Sequence, residues 1–189
     1  MQAILSSFLL VALSEMGDKT QLLAFSLASR FRQPWTVMAG ILTATVANHT
    51  LASVVGIWIA EHVSPRVMAA VLAATFIGFG IWTLRPDTYE EKKGSSRFGT
   101  WLTTTTLFFV AEMGDKTQLA TVALAARFHS VVLVTIGTTA GMLASDGLAV
   151  FIGERLAERV PMKWVRRVAA ALFFVFGAIS AWGAIREPG

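Results

Sequence analysis

Eight consecutive residues occur twice in this chain. Glu15-Met16-Gly17-Asp18-Lys19-Thr20-Gln21-Leu22 returns as Glu112-Met113-Gly114-Asp115-Lys116-Thr117-Gln118-Leu119, 97 positions later. Each copy carries two carboxylates, an ammonium, a hydroxyl and an amide. On a continuous helix Glu and Asp at i and i+3 share a face, so both carboxylates would reach one ion. Lys at i+4 would pair with its own Glu or with an acid of the other copy. Gly17 and Gly114 remove a side chain between the acids, which allows either close helix packing or a local break that frees backbone groups. Thr20, Gln21, Thr117 and Gln118 add neutral oxygens. The same offset maps Asn48-His49 onto Ser145-Asp146. Asn48, Ser145 and Asp146 would extend a coordination shell, although interhelical hydrogen bonding accounts equally well for Asn48 and Ser145. His49 fits a proton relay or a simple hydrogen bond.

The donors in this set are oxygens, which suits magnesium, calcium or manganese rather than copper or zinc. Met16 and Met113 adjoin the acids, but neighbouring positions point about 100° apart on a helix, and core packing is their reading. The chain has no cysteine, which excludes disulfides, thiolate zinc sites and thiol catalysis. Its three histidines form no cluster, no nucleotide-binding motif is present, and no basic face suggests nucleic acid.

The elements that must position these groups read as membrane helices. Of 189 residues 54% are hydrophobic and 15% charged, with mean hydropathy +0.61, whereas soluble domains carry about 25% charged residues. Six stretches approach the about 20 apolar residues needed to cross a bilayer: 2–28, 35–59, 66–84, 99–126, 131–152 and 164–184. No Lys or Arg precedes the first, so it reads as a retained span rather than a cleaved signal. The segment 85–98 is polar and reads as a linker between a first repeat, 1–84, and a second, 99–189. Gly40, Gly56, Gly78, Gly80, Gly137, Gly141 and Gly153 read as close helix contacts, and Trp35, Trp58, Trp101 and Trp164 as interfacial anchors. Thr103–Thr106 would hydrate an entrance, or sit as threonines that a membrane helix tolerates well. Glu154, Arg155, Glu158 and Arg159 read as a solvated helix end.

Three spans per repeat is an odd number, so the second repeat enters from the opposite side. The predicted fold is an all-α membrane protein of six transmembrane helices in two inverted-topology three-helix repeats, an arrangement recurrent in secondary transporters. Loop charge agrees. Of the 16 basic residues 11 fall on one side, and Arg66, Arg127 and Arg186 on the other. The positive-inside rule then puts the linker in the cytoplasm and both termini outside. Glu15, about 13 residues into its span, lies roughly 20 Å along it, near mid-membrane, and Glu112 matches it. Ionised groups there cost about 2.5–3.5 kcal/mol each on the lenient scale. Pairing with Lys19 and Lys116 offers a purely structural account. However, Glu15, Asp18, Glu112, Asp115 and Asp146 against two lysines leave three negative charges unbalanced, which calls for protons or a cation. Because metal ligands must be deprotonated, metal and protons compete for them, and that competition is an antiport cycle.

Glu-x-Gly-Asp-Lys-Thr at 15–20 and 112–117 resembles the signature of the GDT family of membrane cation transporters, which includes Golgi manganese/calcium–proton exchangers and bacterial manganese exporters. The likeness covers essentially the whole chain. It implies that Glu15, Asp18, Glu112 and Asp115 are metal ligands; the residue types and spacing add Gln21, Gln118, Asn48 and Asp146 as second-tier candidates and Lys19 and Lys116 as ion-pair partners. It implies no enzyme and no cofactor, but export of Mn2+ or Ca2+ in exchange for protons across a bacterial inner membrane, with room for a homo-oligomer. An exporter of a small cationic organic solute is the alternative, though five acids exceed what one amine needs. A membrane-embedded metalloenzyme would need a nucleophile or phosphate loop near an interface, which the buried, symmetric acids do not supply.

Overall fold

The computed structural model describes residues 1–85, 99–159 and 162–186, and the side chains at 153–159, 162, 165 and 166 are not part of that description. The linker, apart from Arg85, and the proposed solvated pairs of Glu154 to Arg159 therefore lie outside the described residues. Among these residues the fold is all-helical: α1 Gln2–Glu15, α2 Lys19–Phe31, α3 Pro34–His62, α4 Pro65–Thr83, α5 Gly99–Glu112, α6 Lys116–Phe128, α7 Val131–Arg159 and α8 Met162–Arg186. Pro34 and Pro65 open α3 and α4, where a missing N–H costs nothing and φ is already helical.

Among the described residues four stretches are long and apolar enough to cross a bilayer: Pro34–His62, Pro65–Thr83, Val131–Ile152 and Arg167–Arg186. The most apolar of them, in α8, is also the least buried. Meanwhile Ser7, Thr45, Ser53, Thr104, Thr121 and Thr138 are wholly buried. Apolar side chains outside and polar ones within are what a lipid solvent selects. α7 kinks at Ile152, where the fifth span was expected to end.

The stretches 2–28 and 99–126 differ from expectation. Each is two short helices with a break inside the repeated motif, α1 then α2, and α5 then α6. The break is one of the two roles open to Gly17 and Gly114, and its cause lies in the site itself.

Packing is exchanged between the repeats. α1 lies on α7 while α5 lies on α3; α2 meets α7 while α6 meets α3; α3 meets α7, and α4 meets α8. Every one of these pairings maps onto another, or onto itself, when the repeats are swapped. Glycines seat the crossings. A Cβ at Gly137 would stand 2.6 Å from the Ile4 carbonyl oxygen, and one at Gly40 would stand 2.7 Å from Thr104 Cβ. Gly78 was expected to do likewise but has nothing within 4 Å, because it lines an open apolar groove beside Phe79, Trp82 and Leu119. The threonine patch is also corrected in part: Thr104 is buried against Gly40, and the Thr105 hydroxyl donates to the Gly40 carbonyl at 3.3 Å. Trp35, Trp58, Trp101 and Trp164 are all exposed.

At Gly56 a Cβ would fall 2.2 Å from the Val122 carbonyl oxygen. Gly56→Ala is therefore expected to destabilise the protein by about 1–3 kcal/mol through overpacking. Gly78→Ala should leave thermal unfolding in detergent unchanged; equal midpoints for the two variants would contradict the packing.

Candidate metal centre

The motif makes the helix break. α1 ends at Glu15; Met16 is extended (φ −65°, ψ 119°), and Gly17 takes φ +78°, the left-handed region that favours glycine. Asp18 then caps α2, its Oδ1 accepting from the Lys19 N–H at 2.6 Å. The second copy repeats this with Gly114 at φ +75° and Asp115 Oδ1 accepting from the Lys116 N–H at 2.8 Å. The glutamines close each turn, with Gln21 Oε1 accepting from Gly17 N–H at 2.8 Å and Gln118 Oε1 from Gly114 N–H at 2.7 Å. Glu and Asp are thus not two residues on one face of a continuous helix. Glu15 and Glu112 end one helix, where the dipole favours a cation nearby, and Asp18 and Asp115 begin the next.

The two breaks meet. Lys19 Nζ lies 3.1 Å from Asp115 Oδ2, and Lys116 Nζ pairs with Asp18 Oδ2. Of the two pairings open to the lysines, the one across the repeats is formed. Glu15, Glu112 and Asp115, all buried, each offer an oxygen, and these atoms lie within 4.8 Å of one another. Metal–oxygen bonds of about 2.0–2.6 Å put opposite ligands about 4–5 Å apart, so the trio has the span of one hard cation. Glu15 Oε2 accepts from the Thr20 hydroxyl at 2.5 Å and Glu112 Oε2 from Thr117 at 2.9 Å. Each Oε1 is buried with no hydrogen-bond partner among the described residues.

The remaining candidates divide. Gln21 Nε2 donates to the Ser145 carbonyl at 2.9 Å and hydroxyl at 3.2 Å; Gln118 Nε2 donates to Asn48 Oδ1 at 3.2 Å, and Asn48 Nδ2 to the Phe109 carbonyl at 3.0 Å. Gln21, Gln118, Asn48 and Ser145 therefore pin each break to the long helix of the opposite repeat. Asp146 is wholly buried, neither oxygen has a hydrogen-bond partner among the described residues, and it lies within electrostatic reach of Glu15, Asp18 and Glu112. His49, its counterpart, is equally buried, and neither ring nitrogen has a described partner. The hydroxyls that hold the two glutamates were counted from sequence only as generic oxygens. Their i+5 spacing from Glu makes sense once the helix is broken.

The family model described as divalent cation/proton antiporter GDT1 matches this chain twice, over residues 3–91 and 100–188. The chain belongs to the GDT1 family. A protein of Vibrio cholerae serotype O1 named "Putative manganese exporter" is 39% identical over 183 residues, 96% of this chain and 92% of the relative. "GDT1-like protein sll0615" of Synechocystis is 30% identical over 202 residues, 95% of this chain and 97% of the relative. "GDT1-like protein 3" of Arabidopsis thaliana is 29% identical over 206 residues, 94% of this chain and 70% of the relative. No solved structure matches. Membership makes this GDT1-family chain a multi-pass membrane protein of a transporter family rather than of an enzyme family, and each of its two matched segments carries one copy of the motif.

Proposed function

We propose that the protein is a secondary transporter that exports Mn2+, with Ca2+ as the nearest rival cargo, in exchange for protons. Glu15, Asp18, Glu112 and Asp115 serve as the ligands, Asp146 adds negative charge beside them, and Gln21, Gln118 and Asn48 hold the ligands in place. The observation that carries this reading is the meeting of Glu15, Glu112 and Asp115 oxygens, from both repeats, within 4.8 Å inside a buried core. In this reading α1 with α2, and α5 with α6, each cross the bilayer as a broken helix, giving six crossings in inverted repeats. The principal helix pairings, which map onto one another when the repeats are swapped, support it. Broken helices at a repeat interface are where secondary transporters build ion sites. Both termini then lie outside the cytoplasm of a bacterial inner membrane.

Coupling follows from the ligand set. A carboxylate that holds a proton cannot hold the metal, so acid on one side unloads the site and neutrality on the other loads it. In proteoliposomes with an acid interior, external Mn2+ is expected to accumulate several-fold above the level without a pH gradient, ahead of Ca2+ and well ahead of Mg2+. Uptake indifferent to the gradient would overturn the exchange, and transport of organic ammonium ions in place of metals would overturn the cargo.

A further inference from the structure

The two central ion pairs are not equivalent, and they differ where the cation would sit. Asp115 belongs to the oxygen trio, and the lysine that holds it, Lys19, has a third of its side chain exposed (33%). Asp18 lies outside the trio and is held by Lys116, whose side chain is only 4% exposed. Each aspartate spends Oδ1 on capping its own helix and Oδ2 on the ammonium from the other repeat. A metal that takes Asp115 Oδ2 must therefore share it with Lys19 or displace it.

We propose that Lys19 and Lys116 are tethered stand-ins for the transported cation. Each ammonium neutralises the opposite repeat's aspartate while the site is empty and yields it when metal binds. Three features support this. A crowded set of acids without a counter-charge is costly inside a membrane, and a lysine carried by the protein lowers that cost for the empty carrier. The lysine stem is long and flexible with a compact charge, so its ammonium can withdraw without moving the backbone. The more exposed pair is the one that overlaps the trio, so here Lys19 has room to swing away while Lys116 stays locked. Exchange of the repeats makes Lys116 and Asp18 the yielding pair when the site faces the other way. This inference rests on the reading that the trio takes a divalent cation.

The test uses the full chain in detergent and Mn2+ alone. Amines are acylated with a water-soluble reagent, with and without saturating Mn2+, and modification is read by mass spectrometry with the exposed Lys163 as reference. Lys19 modification is expected to rise severalfold with Mn2+. Lys19→Gln is expected to bind Mn2+ on the order of tenfold tighter, the effect of losing a competitor for one carboxylate, yet to transport it more slowly. A latch that merely holds the helices together predicts the opposite sign, with unchanged or reduced labelling and weaker binding. Mn2+ binding with no rise in Lys19 labelling overturns this inference alone. Absence of Mn2+ binding to the unaltered protein overturns both it and the cation reading. The labelling arm needs no variant, so it stands even if Lys19→Gln does not fold.

Discussion

Manganese transport by Glu15→Gln and by Glu112→Gln is expected to fall about 100-fold or more, with both proteins still inserted and folded. Glutamine keeps the shape of the side chain and an oxygen to accept from Thr20 or Thr117. What it loses is the charge on the one buried oxygen in each glutamate that has no described partner. Groups that only orient a metal ligand cost about 10–100-fold when altered, so loss of a charged ligand should cost at least as much. The symmetry of the expectation matters. The two glutamates come from different repeats yet face one point, so a single shared site predicts comparable losses from either variant. Two independent sites would leave half the transport after either change. Uptake into proteoliposomes reads the difference, and activity within about threefold of the unaltered protein in both variants would remove the trio from the mechanism.

The repeat, the lipid-facing composition and the residues that meet at the centre were legible in the sequence because they depend on residue type and offset alone. The helix breaks were not decided, because glycine is common in membrane helices and Gly17 by itself signals neither a break nor a contact. A sharper signal was present. Asp18 followed by Gln21, and Asp115 by Gln118, have the spacing of an N-terminal capping box, which marks a helix starting rather than continuing. The structure uses these residues as helix-start groups, with Asp as the cap and Gln reaching back to the glycine N–H. Gly78 teaches the complementary lesson. A glycine seats a crossing only if another helix arrives there, which is a property of tertiary packing that a single sequence does not encode. The lysine pairings fell between these cases: sequence supplied opposite charges, but only the meeting of the two breaks selected the partner from the other repeat.

Asp18→Asn is expected to be the more damaging of the two aspartate substitutions for stability. Asp18 and Lys116 are buried almost completely, whereas in the Lys19–Asp115 pair a third of the Lys19 side chain is exposed. Removing one partner of a buried pair leaves a charge facing a low-dielectric interior without the carboxylate it was desolvated against, at about 3–5 kcal/mol. Asparagine can still accept from the Lys19 N–H, so the helix cap survives and the loss isolates the charge. Asp115→Asn should cost less, because Lys19 is less enclosed and its long side chain can carry the ammonium away from the interior. Thermal unfolding in detergent should rank Asp18→Asn below Asp115→Asn, and Lys116→Met added to Asp18→Asn should recover much of the deficit. Recovery would mean that the uncompensated ammonium, rather than a lost contact, is what destabilises the single variant. Equal stability of the two single variants would mean that the repeats are electrostatically equivalent, and the asymmetry between the yielding and the locked pair would have no energetic basis.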